Sequence, residues 1–427
     1  MRNLDREILR LAAPALGALA ADPLVSLVDT AWVGRIDAQA LAALGVAAAI
    51  FGIILFLFNF LAYGSTPLVA EAFGRSDFGE AAGLGSTAFR LAAGVGIVVG
   101  LALAAGAPAA VGAVGARGDV ADAAVGYLRI RALAAPGMLL IVAGHGVFRG
   151  FQDTKTPLGV TIGFNLVNLV LDPLFIFGFG WGIAGAAWAT VVAQGLGAAA
   201  FMVVARRRLP VAGPSWAAAR RLLGVGQALV LRTAALLATY TLATAVATRM
   251  GEVTVAAHQV ASQLWVFLAL AVDAVAIAGQ ALVARYLGSD EPGEARRAMV
   301  RLLWWGAAGG LILAAVMAIL SPVLPSLFSS DAGVRRAVAL VYPFVVLLQP
   351  LSAVVYVWDG VVMGAADFGF LVVATAISTV AACVIIVAAL PAGWGLQGVW
   401  WGMTALIAMR AVTMVWWQQS ARSPRPA

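Results

Sequence analysis

The residues with the chemistry to bind or move an ion are carboxylates, amides and one hydroxyl set inside long apolar runs. Thr161, Asn165, Asn168 and Asp172 follow one another at spacings of four, three and four. At 3.6 residues per turn, those spacings put all four on one face of a single helix. An oxygen-rich stripe of this kind can hold a proton or a hard cation. It can equally form a hydrogen-bonded seam against a neighbouring helix. Asp22 and Asp29, seven residues apart in another apolar run, also share a face. Two carboxyl groups close together in a dry site share a proton rather than both ionising, so an Asp29–Asp172 pair would load and release H+. Asp22 precedes Pro23 and can serve the backbone there instead. Pro14 and Pro23 should bend their helix, because each removes a backbone N–H and crowds the preceding turn. Pro173 frees a carbonyl near Asp172 in the same way.

A carboxylate at the centre of a membrane span costs about 2.5–3.5 kcal/mol on insertion scales, so each needs a reason to be there. Besides the acids already named, the apolar runs hold Asp122, Asp273 and Asp359. Asp122 falls at a run's end and reads as interfacial. Asp273, Asp359 and His145 are secondary candidates; His145 either titrates or packs as a hydrogen-bonded group. His258 and Gln259 read as polar packing. Arg232 either snorkels to the interface or pairs with a carboxylate. Phe56, Phe60, Tyr63, Met138, Trp265, Tyr356 and Met363 would suit a pliable apolar binding surface, or ordinary packing.

These side chains need elements that hold them in lipid. Hydrophobic residues make up 63% of the 427 and charged ones 11%, with a mean hydropathy of +0.97. Apolar runs of roughly 20 residues, enough to cross a ~30 Å hydrocarbon core, recur along the chain. Lipid leaves backbone groups no outside partners, so only helices or closed barrels span it, and runs this long and continuous are helices. Twelve spans are expected near 8–33, 44–70, 86–110, 122–146, 157–180, 183–205, 222–249, 255–283, 299–328, 333–362, 368–390 and 395–418. Arginines crowd the termini and the loops on their side, among them Arg206, Arg207, Arg208, Arg220, Arg221, Arg296 and Arg297. That asymmetry puts both termini in the cytoplasm. The net charge of +7 is therefore topogenic and implies no nucleic-acid partner. Met1 to Arg10 reads as an amphipathic lead-in rather than a cleavable signal, and the single Cys383 gives no disulfide framework.

The sequence repeats itself at an offset of 214. PLVAEAFGRSDFGEA at 67–81 matches ALVARYLGSDEPGEA at 281–295 in seven places, and Pro136, Gly146 and Gly150 match Pro350, Gly360 and Gly364. Shifted by one, Gly180-Trp181-Gly182 matches Gly393-Trp394-Gly395. The expected organisation is an N-terminal lobe of six helices over 1–205, a basic cytoplasmic linker over 206–221, a C-terminal lobe over 222–418 and a cytoplasmic tail over 419–427. Six helices per half make the repeats parallel, which suits a central cavity and alternating access. At the same offset Asp29 corresponds to Ala243 and Asp172 to Ile386, so coupling to a cation should live in the N-terminal half. Neither a GxxxxGK[ST] loop nor a hydrolase or metalloprotease motif occurs, so the chain is not expected to be an enzyme and needs no cofactor.

The first run, APALGALAADPLVSLVDTAWVGR, and the NLVNLVLDPLFIFG of the fifth, followed by GIAGAAWAT, resemble the multidrug and toxic compound extrusion (MATE) transporters, and within them the DinF-like branch. The duplicated G-x(4)-G-E-A loops fit as well, and the resemblance covers essentially the whole chain. It implies an all-α membrane protein of 12 transmembrane helices in two six-helix lobes related by a pseudo-two-fold, with a V-shaped outline. It further implies a monomeric antiporter in the bacterial inner membrane that exports organic cations and amphipathic compounds in exchange for H+. Carried over, Asp29 matches the first-helix coupling acid and Pro14 the bend proline. Asn168 and Asp172 match the fifth-helix partners, Thr190 the sixth-helix hydroxyl and Tyr127 the fourth-helix tyrosine. Asp22 and His145 depart from the pattern. Na+ at Asp29, Asn168, Asp172 and Thr190 is an alternative to H+. A lipid-linked precursor flippase of the same superfamily is another, disfavoured by few cations within spans: Arg232, with Arg129 and Arg131 near a span start.

Overall fold

The computed structural model describes residues 2–210, 212–328 and 331–420, and every regular element among them is a helix. Most of the expected tail, with Arg422 and Arg425, lies outside the described residues, as does residue 211 of the linker. Among the described residues, ten helices are long and apolar enough to cross a membrane, and two bent helix pairs bring the spans to twelve when each pair counts as one. The chain divides into two compact units, one of Ala13–Gly226 and one of Met1–Ala12 with Gln227–Ala427.

The first unit holds α1 (Arg2–Val33) from Ala13 on, α2 (Ala38–Phe58), α3 (Phe60–Gly74), α4 (Phe78–Val114), α5 (Gly118–Ala132), α6 (Ala135–Gly150), α7 (Lys155–Pro173) and α8 (Gly182–Arg208). It closes with the first turns of α9 (Trp216–Arg249). A π turn over Leu174–Gly178 extends α7 just beyond Pro173. α1 continues as one helix through Pro14 and Pro23, although neither proline supplies an amide to the ladder. The second unit holds the rest of α9, α10 (Glu252–Gly288), α11 (Pro292–Leu320), the short α12 (Leu324–Phe328), α13 (Ala332–Leu347), α14 (Gln349–Gly364), α15 (Phe368–Ala389) and α16 (Gly395–Gln419).

Acids just outside the spans start several helices. Asp37 accepts from the Ala40 amide at 2.6 Å, Asp77 from Glu80 at 2.8 Å, Asp331 from Val334 at 2.8 Å and Asp367 from Phe370 at 3.2 Å. Each satisfies a first-turn donor that the helix itself leaves open.

The fourth and tenth spans, expected as single helices, are broken. α5 meets α6 at 55°, and α13 meets α14 at 52°. Pro136 and Pro350 stand in the first turn of α6 and α14, where their missing N–H ends the preceding ladder. The repeat is visible in this packing. A Cβ built on Gly96 of α4 would lie 2.5 Å from the Cα of Pro136, and one on Gly310 of α11 would lie 2.7 Å from that of Pro350. Gly146 presses on the carbonyl of Ala62 as Gly360 does on that of Ala276. Even the left-handed backbone recurs at non-glycine positions, with Ser76 at φ 59° against Asp290 at 57°, and Gln152 at 61° against Ala366 at 57°.

Those backbone contacts leave no room for a methyl group. Gly96→Ala and Gly310→Ala should each destabilise the protein by about 1–3 kcal/mol, the usual range for overpacking. Gly94→Ala, with nothing within 4 Å of the added atom, should be neutral or slightly stabilising. Thermal melts of the purified variants in detergent check the contrast.

Candidate cation-coupling site

The polar stripe on α7 faces the protein interior. Thr161 and Asp172 are fully buried, and Asn165 and Asn168 nearly so. Lipid could not accommodate such a face, and three neighbouring helices cover it in three separate clusters.

Deepest along α7, Asp172 meets Asp29 of α1 carboxyl to carboxyl. Oδ1 of Asp29 and Oδ2 of Asp172 are buried without a hydrogen-bond partner. Two facing carboxyl groups are stable in such a place only when a proton or a cation lies between them. Asn168 Nδ2 donates to Asp172 Oδ1 at 3.4 Å and to Thr190 Oγ1 of α8 at 3.5 Å, while the Thr190 hydroxyl donates to the Ala186 carbonyl at 2.9 Å. The first two bonds sit at the outer limit of useful geometry, so this corner is loosely tied. Tyr127 of α5 is buried within electrostatic reach of Asp29 and Asp172.

A turn further along, Asn165 Nδ2 donates to Asp22 Oδ1 at 2.7 Å. Another turn on, His145 of α6 has both ring nitrogens engaged, Nε2 with Thr161 Oγ1 at 3.1 Å and Nδ1 with Arg149 Nη2 at 3.2 Å. Asp22 and His145 thus meet the same α7 stripe as the carboxyl pair, at Asn165 and Thr161, but in clusters of their own. Asp273 and Asp359 belong to the second unit. There the positions matching Asp29 and Asp172 are the fully buried, apolar Ala243 and Ile386. Asp359 resolves the choice left open for Arg232, since the two form an ion pair.

A sixth member of the main cluster was not among the expected site residues. Arg131, one turn beyond Tyr127, places its charge where it acts on both Asp29 and Asp172. Its Nη1 donates to Gln194 Oε1 of α8 at 3.2 Å, and its guanidinium stacks 4.6 Å over the Phe51 ring. The signal for it was an arginine four residues after a tyrosine in an apolar run. Cations within the spans are also more numerous than expected, since Arg149 and Arg410 are buried with Arg131.

The donor set can be tested against Na+. The two carboxyl groups and the Thr190 hydroxyl offer oxygens, whereas Asn168 presents its amide nitrogen to both neighbours. With that amide turned over, its oxygen would complete a hard-cation set.

Comparison with known proteins identifies the family. The MatE family model matches the chain twice, over residues 14–174 and 229–388. The chain belongs to the MATE family. The two matches begin 215 and end 214 residues apart, in agreement with the internal repeat. Protein DETOXIFICATION 44, chloroplastic, of Arabidopsis thaliana is 37% identical over 97% of this chain and 82% of its own length. The DNA damage-inducible protein F of Escherichia coli (strain K12) is 26% identical over 97% of the chain and 92% of its own. A crystal structure of MATE in the bent conformation superposes with a TM-score of 0.90 at 20% identity, over 97% of this chain and 94% of that one. MATE proteins are transporters, and the helical fold here is theirs.

Arg131 is the one positive charge in the cluster built around the carboxyl pair. Arg131→Gln should slow MATE-type transport by about tenfold or more, the rate equivalent of ~1.4 kcal/mol. Gln194→Leu removes only the 3.2 Å bond and should slow it by less than about threefold. Export of a fluorescent organic cation from proteoliposomes, with melting temperature as a folding control, checks both.

Proposed function

We propose that the chain is a secondary active exporter of organic cations and amphipathic compounds that exchanges them for H+. The observation that carries this reading is the Asp29–Asp172 carboxyl pair, with one buried oxygen on each side lacking a partner. A proton bound between them joins α1 to α7, and its loss sets two negative charges against each other. Protonation would therefore change how α1 is held, and the weak Asn168 bonds at 3.4 and 3.5 Å would give way first. Thr190 and Tyr127 complete the polar wall around the pair. Pro14 sits in the same helix as Asp29, so a change at the carboxyl pair can be taken up where the ladder lacks one amide.

The arginine asymmetry supports a bacterial inner-membrane protein with both termini cytoplasmic. Na+ as the coupling ion is the second reading, supported by the oxygen atoms around the pair. Drug-like molecules and the coupling ion are then the partners, and a monomer is sufficient.

In proteoliposomes, Asp29→Asn and Asp172→Asn should each abolish proton movement driven by ethidium. Retained coupling in both variants would sink the assignment. Ethidium transport under an imposed sodium gradient at fixed pH separates the two ions: no response is expected for H+ exchange, and a full response would transfer the site to Na+.

A further inference from the structure

A cleft opens in the first unit where two helices share a neighbour without meeting closely. α4 and α8 each pack along α6, and far less against each other. The space beside them is a cavity of about 430 Å³, within the ~300–1,000 Å³ usual for small-molecule sites. Phe89 and Ala93 of α4, Leu140 of α6 and Met202 of α8 give it an apolar wall. α8 ends at Arg208, and Pro210 and Ala212 of the connection beyond line the cavity too. That connection is tied down, since the Ser215 amide donates to Thr87 Oγ1 of α4 at 3.2 Å.

The charge in this cavity has one sign. Arg90 of α4 and Arg206 of α8 line it together with Ser86, and no acid does. Among the described residues neither arginine has an ion-pair or hydrogen-bond partner. The acids of the neighbouring loops are engaged elsewhere: Glu71 and Glu80 hold Arg75 and Arg221, and Asp153 faces Arg208. Asp77 caps α4. Two guanidinium groups facing one space repel each other until an anion joins them. The spans expected from the sequence begin near 86 on α4 and end near 205 on α8, so both arginines stand at one membrane boundary. Phe89, Ala93, Leu140 and Met202 fall within the spans. The other half lacks this pair: at the repeat offset Trp304 corresponds to Arg90, and at the offset shorter by one Gln419 corresponds to Arg206.

We propose that this cleft binds an anionic phospholipid, with the phosphate between Arg90 and Arg206 and an acyl chain along Phe89, Ala93 and Met202. Guanidinium forks grip phosphate oxygens bidentately, and basic pockets between spans at a membrane boundary suit lipid headgroups. Free phosphate would use the arginines and leave the apolar wall uncovered. A zwitterionic lipid would cover the wall and bring its own cation to the arginines. Only an anionic lipid answers both features, whichever ion the protein exchanges.

The test is native mass spectrometry of the full chain in detergent, titrated with palmitoyl-oleoyl phosphatidylglycerol or with the phosphatidylcholine of the same chains. No ion gradient is present, so the result is independent of proton coupling. Saturable binding of phosphatidylglycerol is expected, with phosphatidylcholine at least about tenfold weaker. Arg90→Gln and Arg206→Gln should each weaken phosphatidylglycerol by about fivefold, the usual worth of one arginine near a lipid phosphate. Arg207→Gln, next in the chain but outside the cavity, should change it by less than about twofold. Ala93→Phe keeps both charges and fills the apolar wall, and should weaken phosphatidylglycerol by about fivefold or more at an unchanged melting temperature. Equal affinity for the two lipids, equal losses in Arg206→Gln and Arg207→Gln, unchanged affinity in Ala93→Phe, or displacement of the lipid by inorganic phosphate would each overturn the proposal.

Discussion

A hydrocarbon solvent supplies no hydrogen-bond partner, so every polar group carried into it must be answered by the chain itself. Nearly all the rest follows from that constraint. Backbone groups are answered within helices, and the first turns of several helices by aspartates placed just outside the spans. Thr161, Asn165, Asn168 and Asp172 are answered by turning one face of α7 inward onto α1, α6 and α8. Among the described residues, lone buried groups such as Trp32 Nε1, Trp358 Nε1 and Trp400 Nε1 go unanswered, and carboxyl and guanidinium groups do so together in two places. One is the carboxyl pair of Asp29 and Asp172, the other the guanidinium pair of Arg232 and Arg410 around Asp359.

Duplication separates scaffold from chemistry. Close backbone approaches at Gly96 and Gly310, proline breaks at Pro136 and Pro350, and left-handed residues at Ser76 and Asp290 recur in both units. The ionisable groups of the two buried clusters do not. One unit carries two acids beside one arginine, and the other carries two arginines on one acid. Because helix packing is fixed by small residues and backbone contact, charged side chains could diverge without disturbing it.

Much of this was legible in the sequence, for definite physical reasons. Hydropathy gives the spans because lipid imposes one length. The spacing of the α7 stripe gives its facing because helix geometry is rigid, and the 214-residue offset gives the two halves because their glycines and prolines answer to the same contacts. Other features were not legible. The breaks after α5 and α13 fall inside runs that read as single spans, and Pro136 signals an interruption without saying how sharply the chain turns. Arg131 and Arg410 were hidden because an arginine in an apolar run looks the same whether it snorkels or is held by an acid from a distant helix. That Asp22 and His145 lie apart from the carboxyl pair depends on which helix covers which turn of α7, and no one-dimensional pattern records that.

The tight seat of α6 and α14 against their neighbours has a consequence for how such a protein diversifies. Residues that cannot change, such as Gly96, Gly146, Gly310 and Gly360, are disjoint from those that set the chemistry. Substitution can therefore act on charged side chains within the spans, such as Asp29, Arg131 and Asp172, while the backbone stays fixed. Each half is free to drift in charge at its own rate, so a single ancestral scaffold can give rise to descendants of opposite electrical preference.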